Sequence, residues 1–261
     1  MNKNCQIVVI GHTWQKLMFS IDKEVFDKLI FISEKEQLPG SERAAEVLEN
    51  LTAEYRKRKM KVEHRKFNFS IATKPIAEMT HLIYQQKLLG FNNIIINIIG
   101  GLRYVDLWIY LAASIARSRI IHGDFIYDGN IEVGIYKNVD VDKVYLGTLT
   151  SKQVEFLELF FPSFKDPKDF FNTRYIYDEN PLFNQIIYYN SIEKIRNSLI
   201  KLRGKEITRG AINGFIKKLN RISALKITHQ SEKKRKISIS YIGIAYFLKE
   251  MYKKILEKSD L

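Results

Sequence analysis

The sequence contains one cysteine, Cys5, in 261 residues. An internal disulfide is therefore excluded, and so is a zinc site built on paired thiolates. The histidines do not replace them, because His81 and His229 have no metal-ligand spacing to each other. No metal and no cofactor are expected. Long apolar runs are also missing, and none approaches the roughly 20 residues that a bilayer-spanning helix needs. No membrane partner is expected. The first apolar run, residues 6–10 (QIVVI), stops at Gly11. It is too short for a signal peptide and the right length for a buried strand, so a cytoplasmic location is expected. Proline is scarce, and three of the five, Pro162, Pro167 and Pro181, fall in one stretch.

Acidic residues run short in one place only. Residues 191–261 carry 18 Lys and Arg against 6 Asp and Glu, whereas residues 1–190 carry 24 against 23. Nearly all of the net charge of +13 therefore sits in the last quarter of the chain. Basic charge confined to one segment beside a neutral one points to a specific polyanionic partner. The plainer alternative is a solvated basic helix face.

With 46% hydrophobic and 27% charged residues, the chain is globular rather than disordered, and it is long enough for two domains. Up to about residue 145 strands and helices alternate. Residues 6–10, 28–33, 62–69 and 91–99 read as strands, and 41–58, 76–89 and 104–117 as helices. Strands at 119–127 and 131–136 follow, joined by Asp128-Gly129-Asn130, which has good hairpin chemistry. The alternation predicts an α/β fold, a Rossmann-like parallel sheet closed by an antiparallel pair.

Residues 146–190 differ in kind. Residues 151–161 read as a helix, and 162–190 combine prolines with dense Phe and Tyr, which suggests an aromatic strap where two domains or subunits meet. From residue 191 the text changes again. Ser191 can cap a helix that ends at Gly204, and Thr208 can cap a second with Ile212, Phe215, Ile216 and Leu219 at core spacing. A strand at 225–227, a charged turn at 232–235 and a partner strand at 236–240 complete a basic hairpin. Helix, helix and basic hairpin is the order of a winged helix-turn-helix domain, expected over 191–261. On its second helix Arg209, Asn213, Lys217 and Arg221 share one broad stripe. Arg209 and Asn213 are suited to base edges. Lys217, Lys218 and the wing residues Lys233, Lys234, Arg235 and Lys236 are suited to the phosphates of double-stranded DNA.

In the first domain the best candidate site is Asn97-Ile98-Ile99-Gly100-Gly101-Leu102-Arg103, which leaves a predicted central strand and enters a helix. Glycines let a ligand approach the backbone, and the helix N-terminus offers free amide donors to an anion. The first strand ends similarly in Gly11-His12-Thr13. In an open α/β sheet such loops open at the topological switch point, where ligands bind. A Gly-Gly pair after a strand is equally the mark of a plain tight turn. Arg103 could pair with a phosphate or stand on the surface, and His12 could serve the ligand or the strand end.

Three stretches carry a resemblance: Gly40-Ser41-Glu42-Arg43-Ala44-Ala45, residues 69–77 (FSIATKPIA) and above all residues 94–118 (IIINIIGGLRYVDLWIYLAASIARS). They resemble the CARF domain, a Rossmann-like sensor of cyclic oligoadenylates. With the basic second half, the chain is similar to archaeal CRISPR-associated CARF/winged-helix transcription regulators over about four fifths of its length, residues 162–190 excepted. The resemblance implies a homodimer, antiviral defence, and a cyclic tetra-adenylate bound across the two-fold axis. It places the ligand on Gly11, His12, Thr13, Asn97, Gly100, Gly101, Leu102 and Arg103. His12 is bulkier than the residue usual at its position.

Related CARF proteins are metal-independent ring nucleases, in which a ribose 2′-hydroxyl attacks the adjacent phosphate. That alternative would use Thr13 as the hydroxyl and Lys165 or Lys168 as the cation. A third possibility is an interaction protein holding single-stranded RNA. Arg117/His122 and Arg58/His64 have spacings seen in HEPN ribonucleases, but each pair runs from a helix end into a strand, so that geometry fails.

Overall fold

The structure is a computed structural model describing residues 3–36, 41–100, 103–129, 131–229 and 235–259. The chain divides into two compact units, residues 1–146 and 147–261.

The first unit runs β1 (Lys3–Val9), α1 (Trp14–Ile21), β2 (Lys28–Glu34), α2 (Ser41–Lys57), β3 (Lys61–Phe67), α3 (Lys74–Leu88), β4 (Phe91–Asn97), α4 (Arg103–Ala116), β5 (Arg119–Asp128) and β6 (Ile131–Asp140). Its six strands lie in the order β3-β2-β1-β4-β5-β6, parallel up to β5 and antiparallel between β5 and β6. Central strands are buried at successive positions, as in Ile7-Val8-Val9, Leu29-Ile30-Phe31-Ile32 and Ile94-Ile95-Ile96, because helices cover both sheet faces. On one face Val8, Leu29 and Phe31 pack against Leu17 and Ile21 of α1 and Leu51 and Tyr55 of α2. On the other, buried Lys28 donates to Gln86 of α3 at 2.7 Å and pairs with Glu63 of β3 at 2.7 Å. There α4 packs beside α3. The architecture is Rossmann-like.

Two features of this unit go beyond the sequence reading. Helix α1 was not anticipated, and β6 continues past residue 136 to Asp140. The extension is held by Asn138, whose Nδ2 donates to the Ser20 carbonyl at 2.9 Å and to Glu24 at 2.9 Å.

The second unit contains α5 (Ser151–Glu158), two short 3-10 turns (Pro167–Phe171 and Tyr177–Glu179) and α6 (Pro181–Asn184). It continues with β7 (Tyr188–Tyr189), α7 (Ile192–Arg203), α8 (Arg209–Arg221), β8 (Leu225–His229), β9 (Arg235–Ile239) and α9 (Tyr241–Ser259). An antiparallel sheet forms in the order β7-β9-β8. Ser191 caps α7 by accepting the Lys194 N–H at 3.2 Å, and Gly204 ends it in the left-handed region at φ +64°. Thr208 caps α8 through the Ala211 N–H at 3.2 Å.

The aromatic segment, read from sequence as a strap between bodies, is built into this unit's core. Phe161 stacks on Phe247 of α9 at 4.8 Å, and Phe170 meets the same ring edge-on at 5.4 Å. Tyr177 stacks on Phe183 at 4.2 Å. Buried Asn180 pins the turns: its amide donates to the carbonyls of Asp169 (3.2 Å) and Phe170 (3.1 Å) and accepts the Leu182 N–H (3.0 Å). Prolines divide the segment into turns, and the rings then fill the space a longer helix would have occupied. No helix among the described residues is long and apolar enough to cross a membrane.

Candidate functional site

The strand order reverses between β1 and β4. The chain leaves β1 for α1 on one face of the sheet and leaves β4 for α4 on the other, so the two loops part at a topological switch point. They touch through backbone. A Cβ on Gly11 would collide with the carbonyl of Gly100, and a Cβ on Gly100 would lie 2.5 Å from the Val9 carbonyl and 2.6 Å from Leu17 Cδ2. Both glycines are thus required by the close approach of two chains. This joins the loops that lead into α1 and α4 at the carboxyl rim of the sheet, where a helix N-terminus offers backbone N–H groups.

The candidate residues divide by depth. Gly11 is buried, and His12 and Thr13 are exposed. Thr13 occupies the N-cap position of α1 with extended backbone, but its hydroxyl accepts no cap hydrogen bond. The hydroxyls of Thr150, Ser191 and Thr208 all do so at their helices. Asn97 lies under the loop, fully buried. Its Nδ2 donates to Ser20 Oγ at 2.8 Å and its Oδ1 accepts the Ile99 N–H at 3.2 Å. Ser20 Oγ in turn donates to Asn138 Oδ1 at 2.8 Å. The amide of Asn97, read from sequence as a ligand residue, is engaged inside the protein and shapes the loop. Gly101 and Leu102 lie outside the described residues, and Arg103 opens α4.

Sequence reasoning missed two residues at this rim. Lys16, in the first turn of α1, places its Nζ 3.9 Å from the ring centroid of Phe125. Asp106, in the first turn of α4, has Oδ1 closed off from solvent with no hydrogen-bond partner among the described residues. Burial pushes its carboxyl up to about 7, and the positive charge of Lys16 opposes the rise. The signal for α1 was present: Trp14, Leu17, Met18 and Ile21 recur at helical spacing behind Thr13.

In the second unit the basic residues separate into two classes. Two of the four cations of α7 are tied down, and Lys194 and Lys201 are exposed: Arg196 binds Glu193 (2.6 Å), Glu206 (2.9 Å) and the Ile207 carbonyl (2.7 Å), and Arg203 binds Glu155 at 2.7 Å. On α8, Ile212, Ile216 and Leu219 are buried and Phe215 stacks on Phe156 at 5.5 Å. Arg209, Asn213, Lys217, Lys218 and Arg221 are exposed and make no ion pair or hydrogen bond with the described residues. Arg235 is exposed at the start of β9, and Lys236 lies 3.9 Å from the Tyr188 ring centroid. Lys233 and Lys234 lie outside the described residues. Lys165 and Lys168 are exposed in the second unit, and the Lys168 N–H is held by Asp166 at 2.8 Å.

Three of the four residues in the ribonuclease-like pairs have partners elsewhere, and Arg117 is exposed. Arg58 pairs with Asp22 at 2.9 Å, His64 bonds Ser33 at 2.7 Å, and His122 Nδ1 lies 3.0 Å from the Gly123 carbonyl. Among the described residues no cluster of His, Cys, Asp or Glu is arranged to hold a metal ion.

No protein-family model matches the chain, and no curated protein matches it in sequence. Among solved structures it is similar to protein VC1899 from Vibrio cholerae, at 13% identity and a TM-score of 0.36 over 95% of this chain and 66% of that one. It is also similar to Can2 from Sulfobacillus thermosulfidooxidans, solved in complex with cyclic tetra-adenylate, at 10% identity and a TM-score of 0.34 over 95% of this chain. The chain spans 62% of the length of Can2.

Proposed function

We propose that this protein is a transcription regulator that binds a cyclic oligoadenylate at the rim of its first unit and duplex DNA through its second. The observation that carries the reading is the set of cations on α8: Arg209, Lys217, Lys218 and Arg221 stand exposed and make no ion pair among the described residues. Unpaired like charges on one helix face oppose each other and are relieved by a polyanion. The order α5, β7, α7, α8, β8, β9, with β9 between β7 and β8, supports a winged helix in which α8 enters the major groove. Arg209 and Asn213 then face base edges, and Lys217, Lys218 and the hairpin residues Lys233, Lys234, Arg235 and Lys236 meet phosphates.

For the first unit, two helix N-termini meeting at a switch point suit a phosphate-bearing ligand. The resemblance of residues 94–118 to CARF sensors gives the ligand class, with cyclic tetra-adenylate the first choice. A two-fold ligand calls for a symmetric dimer. On α4, Tyr104 and Leu107 (61% exposed), with half-buried Trp108 and Leu111, form an apolar stripe fit for a second copy.

The ring-nuclease alternative is favoured by one observation, the uncapped hydroxyl of Thr13 beside the rim. One experiment separates the readings. Purified protein is titrated with cyclic tetra-adenylate, the products are resolved, and duplex binding is followed over a salt series with and without ligand. Retention of the intact ring with salt-dependent duplex binding supports the regulator, and conversion to linear product supports the nuclease. Absence of ligand binding, or of duplex binding, overturns the proposal.

A further inference from the structure

The hairpin of β5 and β6 rises past the point where β4 leaves the sheet. Strand β5 pairs with β4 over residues 119–121, and there β4 turns away into the Gly100 loop. From His122 on, β5 runs beside β6 as a two-stranded ribbon. The ribbon is packed on the candidate loop, because a Cβ on Gly123 would collide with Cδ1 of Ile99, the residue before Gly100. From that contact a row of rings follows the strand. His122 meets Phe125 edge-on at 5.5 Å, and Phe125 meets Tyr127 edge-on at 6.4 Å. Lys16, from the first turn of α1, sets its ammonium 3.9 Å from the Phe125 centroid. Phe125 is half-buried against the core, whereas Tyr127 is 59% exposed.

One aromatic ring on a surface is ordinary. This one continues a row that begins at the candidate loop and has an ammonium set into it. Rings interleaved with cations are how proteins hold unpaired nucleotides: the cation takes the phosphate, and the ring takes the face of the base. Four residues separate Gly123 from Tyr127, roughly 13 Å along a strand. That spacing suits an oligonucleotide with phosphates on the loop and a base outside them. We propose that Tyr127 is a base-stacking residue of this site, with an adenine lying on its ring and Lys16 on the phosphate side. The inference rests on the oligoadenylate reading above and adds where a base goes. Stacking is indifferent to the edge of the base, so this contact supplies affinity and leaves the choice of adenine to other groups.

The test compares wild type, Tyr127→Ala and Tyr127→Phe, each shown to be folded by circular dichroism and weighed by light scattering. Each is titrated with cyclic tetra-adenylate by calorimetry, and with the same ring carrying one 2-aminopurine by fluorescence. Tyr127→Ala should bind the adenylate ring roughly tenfold or more weakly, the loss that removing one stacking ring produces. Tyr127→Phe keeps the ring and should bind as wild type does. Stacking quenches 2-aminopurine, so emission at saturation should fall with wild type and Tyr127→Phe and fall less with Tyr127→Ala. A merely structural Tyr127 would lower affinity without changing the emission of the bound probe. If the alanine variant binds and quenches as wild type, or the phenylalanine variant loses as much as alanine, the inference fails while the ligand assignment stands. If Tyr127→Ala changes the mass of the unliganded protein, the ring belongs to an interface between copies and the inference fails. If wild type binds neither ring, the ligand assignment and the inference fail together.

Discussion

Asp106→Asn should make the first unit more stable at neutral and alkaline pH and leave it unchanged in acid. In the folded protein burial pushes the Asp106 carboxyl from 3.8 up to about 7. Below pH 3.8 both folded and unfolded chains hold the proton, and the group contributes nothing. As pH rises toward 7 the unfolded chain releases it while the folded chain keeps it, so stability falls with rising pH. Above 7 the whole penalty is present. A displacement of this size corresponds to about 4 kcal/mol for a fully buried group. Asp106 is only half-buried, and solvent screening reduces the figure to about 2 kcal/mol. Asparagine has no proton to lose and removes the penalty. Trp14 and Trp108, the chain's two tryptophans, both lie in the first unit, so their fluorescence reports its unfolding alone. At pH 8 the variant's urea midpoint should exceed wild type by about 1 M, with no difference at pH 4. A midpoint difference that is the same at both pH values would refute the assignment of a displaced carboxyl at this position.

Gly100→Ala places a methyl group against the Val9 carbonyl and Leu17 and should cost about 1–3 kcal/mol in the same fluorescence assay; a wild-type midpoint would show that the two loops do not touch. Ser20→Ala deprives Asn97 Nδ2 and Asn138 Oδ1 of their shared partner, for a loss of about 1–3 kcal/mol; a neutral effect would mean the relay is not formed. Lys217→Ala and Arg221→Ala should each lower the log–log salt slope of duplex binding by roughly 0.9, whereas Arg196→Ala should leave the slope alone and reduce stability. Equal slopes in all three variants would remove α8 from the DNA contact.

How far the sequence could be read depended on what each element asks of its residues. Strands covered on both faces must be apolar at every position, so β1, β2 and β4 stand out as runs, and the switch point follows from where two of them end in glycine. Caps were equally visible, because Ser191 and Thr208 do locally what their side chains dictate. Failure came where the deciding partner is remote. Helix α1 spans only Trp14–Ile21, and its N-cap, Thr13, reads in sequence as the end of the glycine loop. Strand β7 is two residues long and exists only because β9 pairs with it. The aromatic segment shows that its rings must be buried but not which body buries them; Phe247, the ring that decides it, lies on α9, which the sequence reading did not reach.

Asp106 is the sharpest case of a residue whose type conceals its role. A carboxylate in the first turn of a helix is the ordinary choice, because it faces the positive end of the helix dipole, and nothing in the string RYVDLW marks it as unusual. An ordinary N-terminal carboxylate is solvated and ionised. This one has an oxygen closed off from solvent with no donor among the described residues, a carboxyl pushed up to about 7, and a lysine from the first turn of α1 acting on it electrostatically. Those properties belong to the meeting of two loops rather than to either stretch of sequence. There the backbone of Gly11 packs closely on that of Gly100, and the two loops lead into the helices that carry Lys16 and Asp106.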